Sequence, residues 1–181
     1  GIKKYAHSTQ VRKLTSLRNF GKYLVKEKII ESNFCELISP PKTIRRLPSV
    51  LTIHEIKLLQ DNVLLNGKNG KRDYAIFELM YSGGLRVSEL SNLKVEDLNL
   101  DDSMIRVKGK GSKERIVPIG SISKKSLSEY LVENRLSNDK AINKNSLFLS
   151  KFNKPISRKT IWHMLKYYAK KSGIKKNVSP H

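Results

Sequence analysis

Between Met104 and Ile119 the sequence alternates polar and apolar residues on both sides of Gly109-Lys110-Gly111-Ser112. A period of two sends one set of side chains into a core and the other into water, and the glycines permit a tight reversal. Residues 104–108 and 113–119 are therefore expected to pair as an antiparallel β-hairpin. Almost everything around it reads as helix. Thr52-Ile53-His54-Glu55 has capping-box spacing and predicts a helix to about Leu64. Residues 66–70 are expected as a turn, followed by a helix over 71–81 with Ala75, Ile76, Leu79 and Met80 inward, ended by Gly83-Gly84. A third helix from about Leu85 buries Val87, Leu90 and Leu93, which leaves Arg86 and Glu89 three apart and close together on the surface. Further helices are expected at about 123–135 and 157–172, the second stopping at Gly173, with the apolar Leu147-Phe148-Leu149 between them. The fold class is α+β, mainly helical with a small antiparallel sheet.

The start of the chain is organised differently. Val11, Leu14, Leu17, Leu24 and Val25 recur at helical spacing and predict one long helix over 8–30, with Ser8 or Thr9 as its cap. Its polar side carries Arg12, Lys13, Arg18, Lys22 and Lys26, which taken alone read as a solvated face in preference to a phosphate-contacting one. Prolines at 40, 41 and 48, with Arg45 and Arg46 between, forbid helix and mark an exposed basic connector. The expected layout is an incomplete helical unit over 1–40, a linker over 41–51 and a main domain over 52–181.

Charge narrows the partners. Lys and Arg number 36 against 16 Asp and Glu, for a formal net charge of +20, and such an excess points to a polyanion, with nucleic acid first. A lone cysteine, Cys35, excludes an internal disulfide and a multi-cysteine metal site. The polar, basic start does not resemble a signal peptide, and no apolar run approaches the roughly 20 residues of a membrane span, so a cytoplasmic, nucleoid-associated protein without membrane contact is expected. Asp97, Asp101 and Asp102 are read as loop and helix-cap residues in preference to a Mg²⁺ site, and His7, His54 and His163 lack ligand spacing. Trp162 is read as a core residue, and no P-loop or dinucleotide pattern occurs. Neither a metal nor a cofactor is expected.

Two clusters remain as candidates for chemistry. Arg106, Lys108, Lys110, Lys113 and Arg115 crowd the hairpin tip against Glu114 alone, and they suit either a solubilising turn or a phosphate contact. Arg86 falls in the first turn of a helix, where a cation opposes the helix dipole unless an anion sits alongside. That anion is either Glu89, in an ordinary ion pair, or a phosphate.

The ordered run GGLRVSELSNLKVEDLNLDDSMIRVKGKGSKERIVPIG at 83–120 closely resembles the first catalytic block of tyrosine recombinases, most of all the Xer-type subgroup of the phage integrase family. The similarity extends from the first helix through Trp162-His163 to Ser179-Pro180-His181. The resemblance implies the tyrosine recombinase catalytic-domain fold, and 1–40 as the last helix of a core-binding domain. It implies a site-specific recombinase that cuts and rejoins duplex DNA through a 3′-phosphotyrosyl link without a cofactor. Fixed cations lower the barrier to a phosphoryl transition state, and the guanidinium fork suits two of its oxygens.

By the same resemblance Arg86 matches the first catalytic arginine and Lys110 the lysine that protonates the leaving 5′-oxygen, with Lys108 and Lys113 as alternates. His181 matches the histidine opening the His-x-x-Arg motif, and Glu89 orients Arg86 from behind. The family continues past that histidine through a second arginine, a histidine or tryptophan and the nucleophilic tyrosine. Tyr167 and Tyr168 lie upstream at packing positions and are not taken as nucleophiles. The chain is thus expected to be a truncated part of a parent that works as a homo- or heterotetramer, and to be monomeric and inactive alone. Chromosome dimer resolution and mobile-element integration or excision both remain open for the parent. A non-catalytic DNA- or RNA-binding module and a Mg²⁺-dependent nuclease are the rival readings.

Overall fold

The alternation at 104–119 builds the sheet. In the computed structural model, which describes residues 5–41, 50–109, 111, 113–135 and 145–180, β1 is Leu98–Asn99, β2 Met104–Lys108 and β3 Glu114–Pro118. All pairs are antiparallel in the order β1-β2-β3, with Ile105 opposite Val117 and Val107 opposite Arg115. Directly opposed residues share a face, so Ile105, Val107 and Val117 turn into the core and Arg115 leaves from that same inner face. Strand β1 has only two residues, too few to carry a periodicity in the sequence.

The described residues divide between two compact units, Gly1–Pro48 and Ser49–His181. In the first, helix α1 spans His7–Lys26 and ends four residues before the expected point, where Lys28 takes a left-handed φ of 56°. Its N-cap is Ala6, with no side-chain cap, rather than Ser8 or Thr9. The Arg18 guanidinium donates to the carbonyls of Cys35 and Ile38, and Asn33 donates to the Arg18 carbonyl, so the chain after α1 folds back along it. The buried Cys35 sits in that return.

In the second unit α2 covers Ile53–Leu64 with the capping box in place: the Glu55 amide donates to Thr52 Oγ1 at 3.2 Å, and the Thr52 amide donates to Glu55 Oε2 at 2.7 Å. Lys176 joins the same carboxylate at 2.7 Å and donates to the Val50 carbonyl at 3.1 Å. Helix α3 covers Gly67–Tyr81, so most of the expected turn at 66–70 is its first turn. Gly70 is glycine for contact: a Cβ there would lie 2.9 Å from the Val63 carbonyl oxygen of α2. Helix α4, Val87–Asn92, starts later than expected and is only six residues long. Helix α5 spans Ser121–Tyr130 and runs into a π turn at Leu131–Arg135, and α6 spans Arg158–Lys171, capped by Ser157. The core gathers Ile76 and Leu79 of α3, Leu90 of α4, Ile105 of β2, Leu127 of α5 and Ile161 of α6. Among the described residues no helix is long and apolar enough to cross a membrane.

A polar knot crosses this core. Arg72 Nε donates to Asp73 at 2.7 Å and Arg72 Nη1 to the Leu149 carbonyl at 2.9 Å, while the Tyr168 hydroxyl donates to the other Asp73 oxygen at 2.8 Å. Burial pushes the Asp73 carboxyl up against the pull of Arg72. Removing one partner of a buried pair strands the other, so Asp73→Ala is expected to lose about 3–5 kcal/mol of stability, read from urea unfolding.

Candidate active site and nucleic-acid interface

Glu89 is the centre of the site. Its position on α4, three residues after the N-cap Arg86, lets its carboxylate reach back to the Arg86 amide at 2.8 Å. Oε1 also accepts from Arg86 Nη1 at 3.0 Å. Arg115 completes the group from β3, donating through Nη1 at 2.6 Å and Nη2 at 2.9 Å to the two carboxylate oxygens. The Glu89 side chain is 2% exposed, whereas that of Arg86 is 65% exposed. A buried anion thus holds one guanidinium against the sheet and presents another at the surface. The Arg115 hydrogen bonds, with those of the Arg86 amide and guanidinium, bring the Glu89 carboxyl down to about 2, outweighing burial, which works the other way.

The hairpin turn closes beside this group. The Gly109 amide donates to the Lys113 carbonyl at 2.7 Å, and Gly111 takes a φ of 75° that glycine alone adopts cheaply. A Cβ on Gly109 would lie 3.8 Å from Glu89 Oε1 and 3.9 Å from Arg115 Nη1. The residue preceding Lys110 is thereby set against the partner of Arg86. Lys110, His181, Arg45 and Arg46 themselves lie outside the described residues.

The other expected contacts divide. Glu89 is buried, not on the surface, because its place on α4 turns it under the hairpin. Both terminal nitrogens of Arg115 are committed to Glu89, since a strand's period of two puts residue 115 on the same face as Val117. Arg106 pairs with Asp97 at 3.3 Å and Lys108 with Glu114 at 3.1 Å, while Lys113 is exposed with no ion pair among the described residues. Asp97 also accepts from the Lys94 amide at 3.0 Å, which accounts for it without a metal. On α1, Arg18 serves the backbone, Lys13 lies 3.4 Å over the Tyr5 ring, and Arg12 and Lys22 are exposed.

Helix α6 corrects one reading and adds residues the sequence reading passed over. Trp162 is 39% exposed rather than core, because it lies on the flank of α6, about a quarter turn around the helix from the stripe of buried Ile161, Leu165 and Tyr168. With Arg158 and Lys159 it lines an open groove, completed by Val87, Ser88, Ser179 and Pro180, whose α4 side begins one residue after Arg86. Lys166 extends the basic side, 4.5 Å over the Trp162 ring. A signal for these cations was available: the sequence holds no Asp or Glu from Lys140 to His181.

Residues 49–181 match the phage integrase family. The chain belongs to that family. It is 40% identical over 170 residues to the tyrosine recombinase XerD of Staphylococcus saprophyticus, covering 94% of this chain and 58% of that one. Among solved structures, the XerA recombinase superposes with a TM-score of 0.67 at 32% identity, over 98% of this chain and 58% of the other. The Tn1549 transposon integrase in complex with circular intermediate DNA gives 0.74 at 19% identity, over 97% and 63%. This phage integrase family chain therefore has the mainly helical recombinase catalytic fold with its small antiparallel sheet, and it spans somewhat over half the length of the curated relatives it matches.

The depressed carboxyl fixes a pH dependence. A folded-state value below that of the unfolded chain gives stability that is fully present above about pH 4.5 and lost as pH falls through about 2. Glu89→Gln is expected to flatten that acid limb and to lower stability at pH 7 by about 3–5 kcal/mol, read from denaturant midpoints at pH 7 and pH 3.

Proposed function

We propose that this chain is the phosphate-holding part of a Xer-like site-specific DNA recombinase. The observation that carries the reading is Arg86, fixed through both its backbone and its guanidinium by a buried carboxylate, exposed, and one residue before the Val87 that lines a groove with Arg158 and Lys159. Such a guanidinium loses little freedom on meeting a phosphate, and it keeps N–H groups beyond the one given to Glu89. The relatives are tyrosine recombinases, and the Tn1549 integrase is solved on DNA.

Arg86 clamps the scissile phosphate and Glu89 positions it. A tyrosine hydroxyl attacks phosphorus and gives its proton to water, the bond to the 5′-oxygen breaks, and that oxygen takes a proton from the Lys110 ammonium. Lys110 follows Gly109, the residue that borders Glu89, and Lys108 and Lys113 stand as alternates. His181 donates to a phosphoryl oxygen after the groove-lining Ser179-Pro180. In the parent, 1–40 closes a core-binding domain, 41–51 links it and 52–181 carries catalysis. The partner is duplex DNA in the cytoplasm, held by a tetramer.

The test uses this chain extended to its relatives' length on a nicked suicide duplex. Covalent protein–DNA product is expected with or without a chelator of divalent ions. Arg86→Ala should cut its formation by about 10²–10³-fold, while binding of the intact duplex falls far less. Absence of covalent product from the unsubstituted protein, or its loss on chelation, overturns the reading.

A further inference from the structure

The segment leading into α6 carries a feature that the phosphate site does not use. Leu149 bridges Pro155, and the Ile156 amide donates to the Phe148 carbonyl at 3.0 Å, with Phe148, Leu149 and Ile156 all buried. Between these anchors the Ser150 amide donates to the Lys154 carbonyl at 2.7 Å and the Asn153 amide to the Ser150 carbonyl at 3.0 Å. Asn153 takes a φ of 59°, a left-handed conformation that asparagine tolerates better than most residues. Residues 150–154 are thus a tight turn pinned at both ends. At its tip Phe152 is 68% exposed, between the exposed Lys151 and Lys154.

A single exposed phenylalanine is ordinary. This one stands on a fixed turn, between two lysines, in the stretch from Lys140 onward that holds no acidic residue. Three residues past Lys154, Ser157 caps the helix whose Arg158 and Lys159 line the groove next to Arg86. Positive charge therefore runs from the phosphate site along α6's first turn to this tip.

We propose that the 150–154 turn is a second contact with the same DNA duplex, Lys151 and Lys154 on backbone phosphates and Phe152 against an apolar part of the duplex. This rests on the duplex-binding reading given above. The lysines supply salt-sensitive affinity by releasing counterions, whereas the ring supplies affinity that salt does not screen. The rigid turn lets both act without a large ordering cost.

Fluorescence anisotropy of the 181-residue chain on a 30-base-pair duplex, across a series of KCl concentrations, separates these contributions. Lys151→Ala with Lys154→Ala is expected to make the plot of log affinity against log salt shallower by about 2. Phe152→Ala should weaken binding by about tenfold at every salt with the slope kept. Lys124→Ala with Lys125→Ala, an equal charge loss on α5, should leave the slope unchanged, and circular dichroism melting checks that all variants fold. An unchanged slope in the 151/154 variant, or an equal change in the α5 variant, overturns the turn's role while the DNA reading stands. No salt-dependent binding by the unsubstituted chain overturns both.

Discussion

One carboxylate determines how this site is built. Glu89 accepts from a backbone amide and two guanidiniums that arrive from a helix start and a strand. A buried anion without such partners would neutralise or force the fold apart, so the helix and hairpin must meet where they do. The exposed Arg86 inherits its position from that necessity. Preorganisation of this kind is what a phosphoryl-transfer site needs, because donors fixed beforehand do not have to be rearranged as charge develops.

Much of the fold was legible in the sequence for local reasons. The capping box at Thr52 and Glu55, the hairpin's alternation and the glycine stop after α6 each act within a few residues, and each stands where the pattern puts it. What escaped was set by contact at a distance. Gly70 looks like a turn residue until α2 lies against it, and β1 exists only because β2 offers it an edge. Helix α4 is short because the chain is extended again by Leu93.

The site was legible in part. The pairing of Arg86 with Glu89 follows from their spacing, but the burial of Glu89 and its capture by Arg115 join residues 26 apart, and only the hairpin's inner face brings them together. A cation at the hairpin tip suggests a free phosphate contact, whereas the parity of Arg115 with Val117 turns its guanidinium toward Glu89 while the side chain stays 40% exposed. Trp162 misled in the opposite sense, since its spacing from Leu165 and Ala169 resembles a buried stripe, while the helix turns it outward toward the groove.

Lys176 ties the first turn of α2 to the stretch that ends in Ser179-Pro180, gripping both the Glu55 carboxylate and the Val50 carbonyl. One ammonium group therefore joins the backbone entering α2 to the segment that leads, three residues on, to the groove-lining Ser179. Surface ion pairs of this sort open and reclose easily, so the connection behaves as a latch and not as a weld.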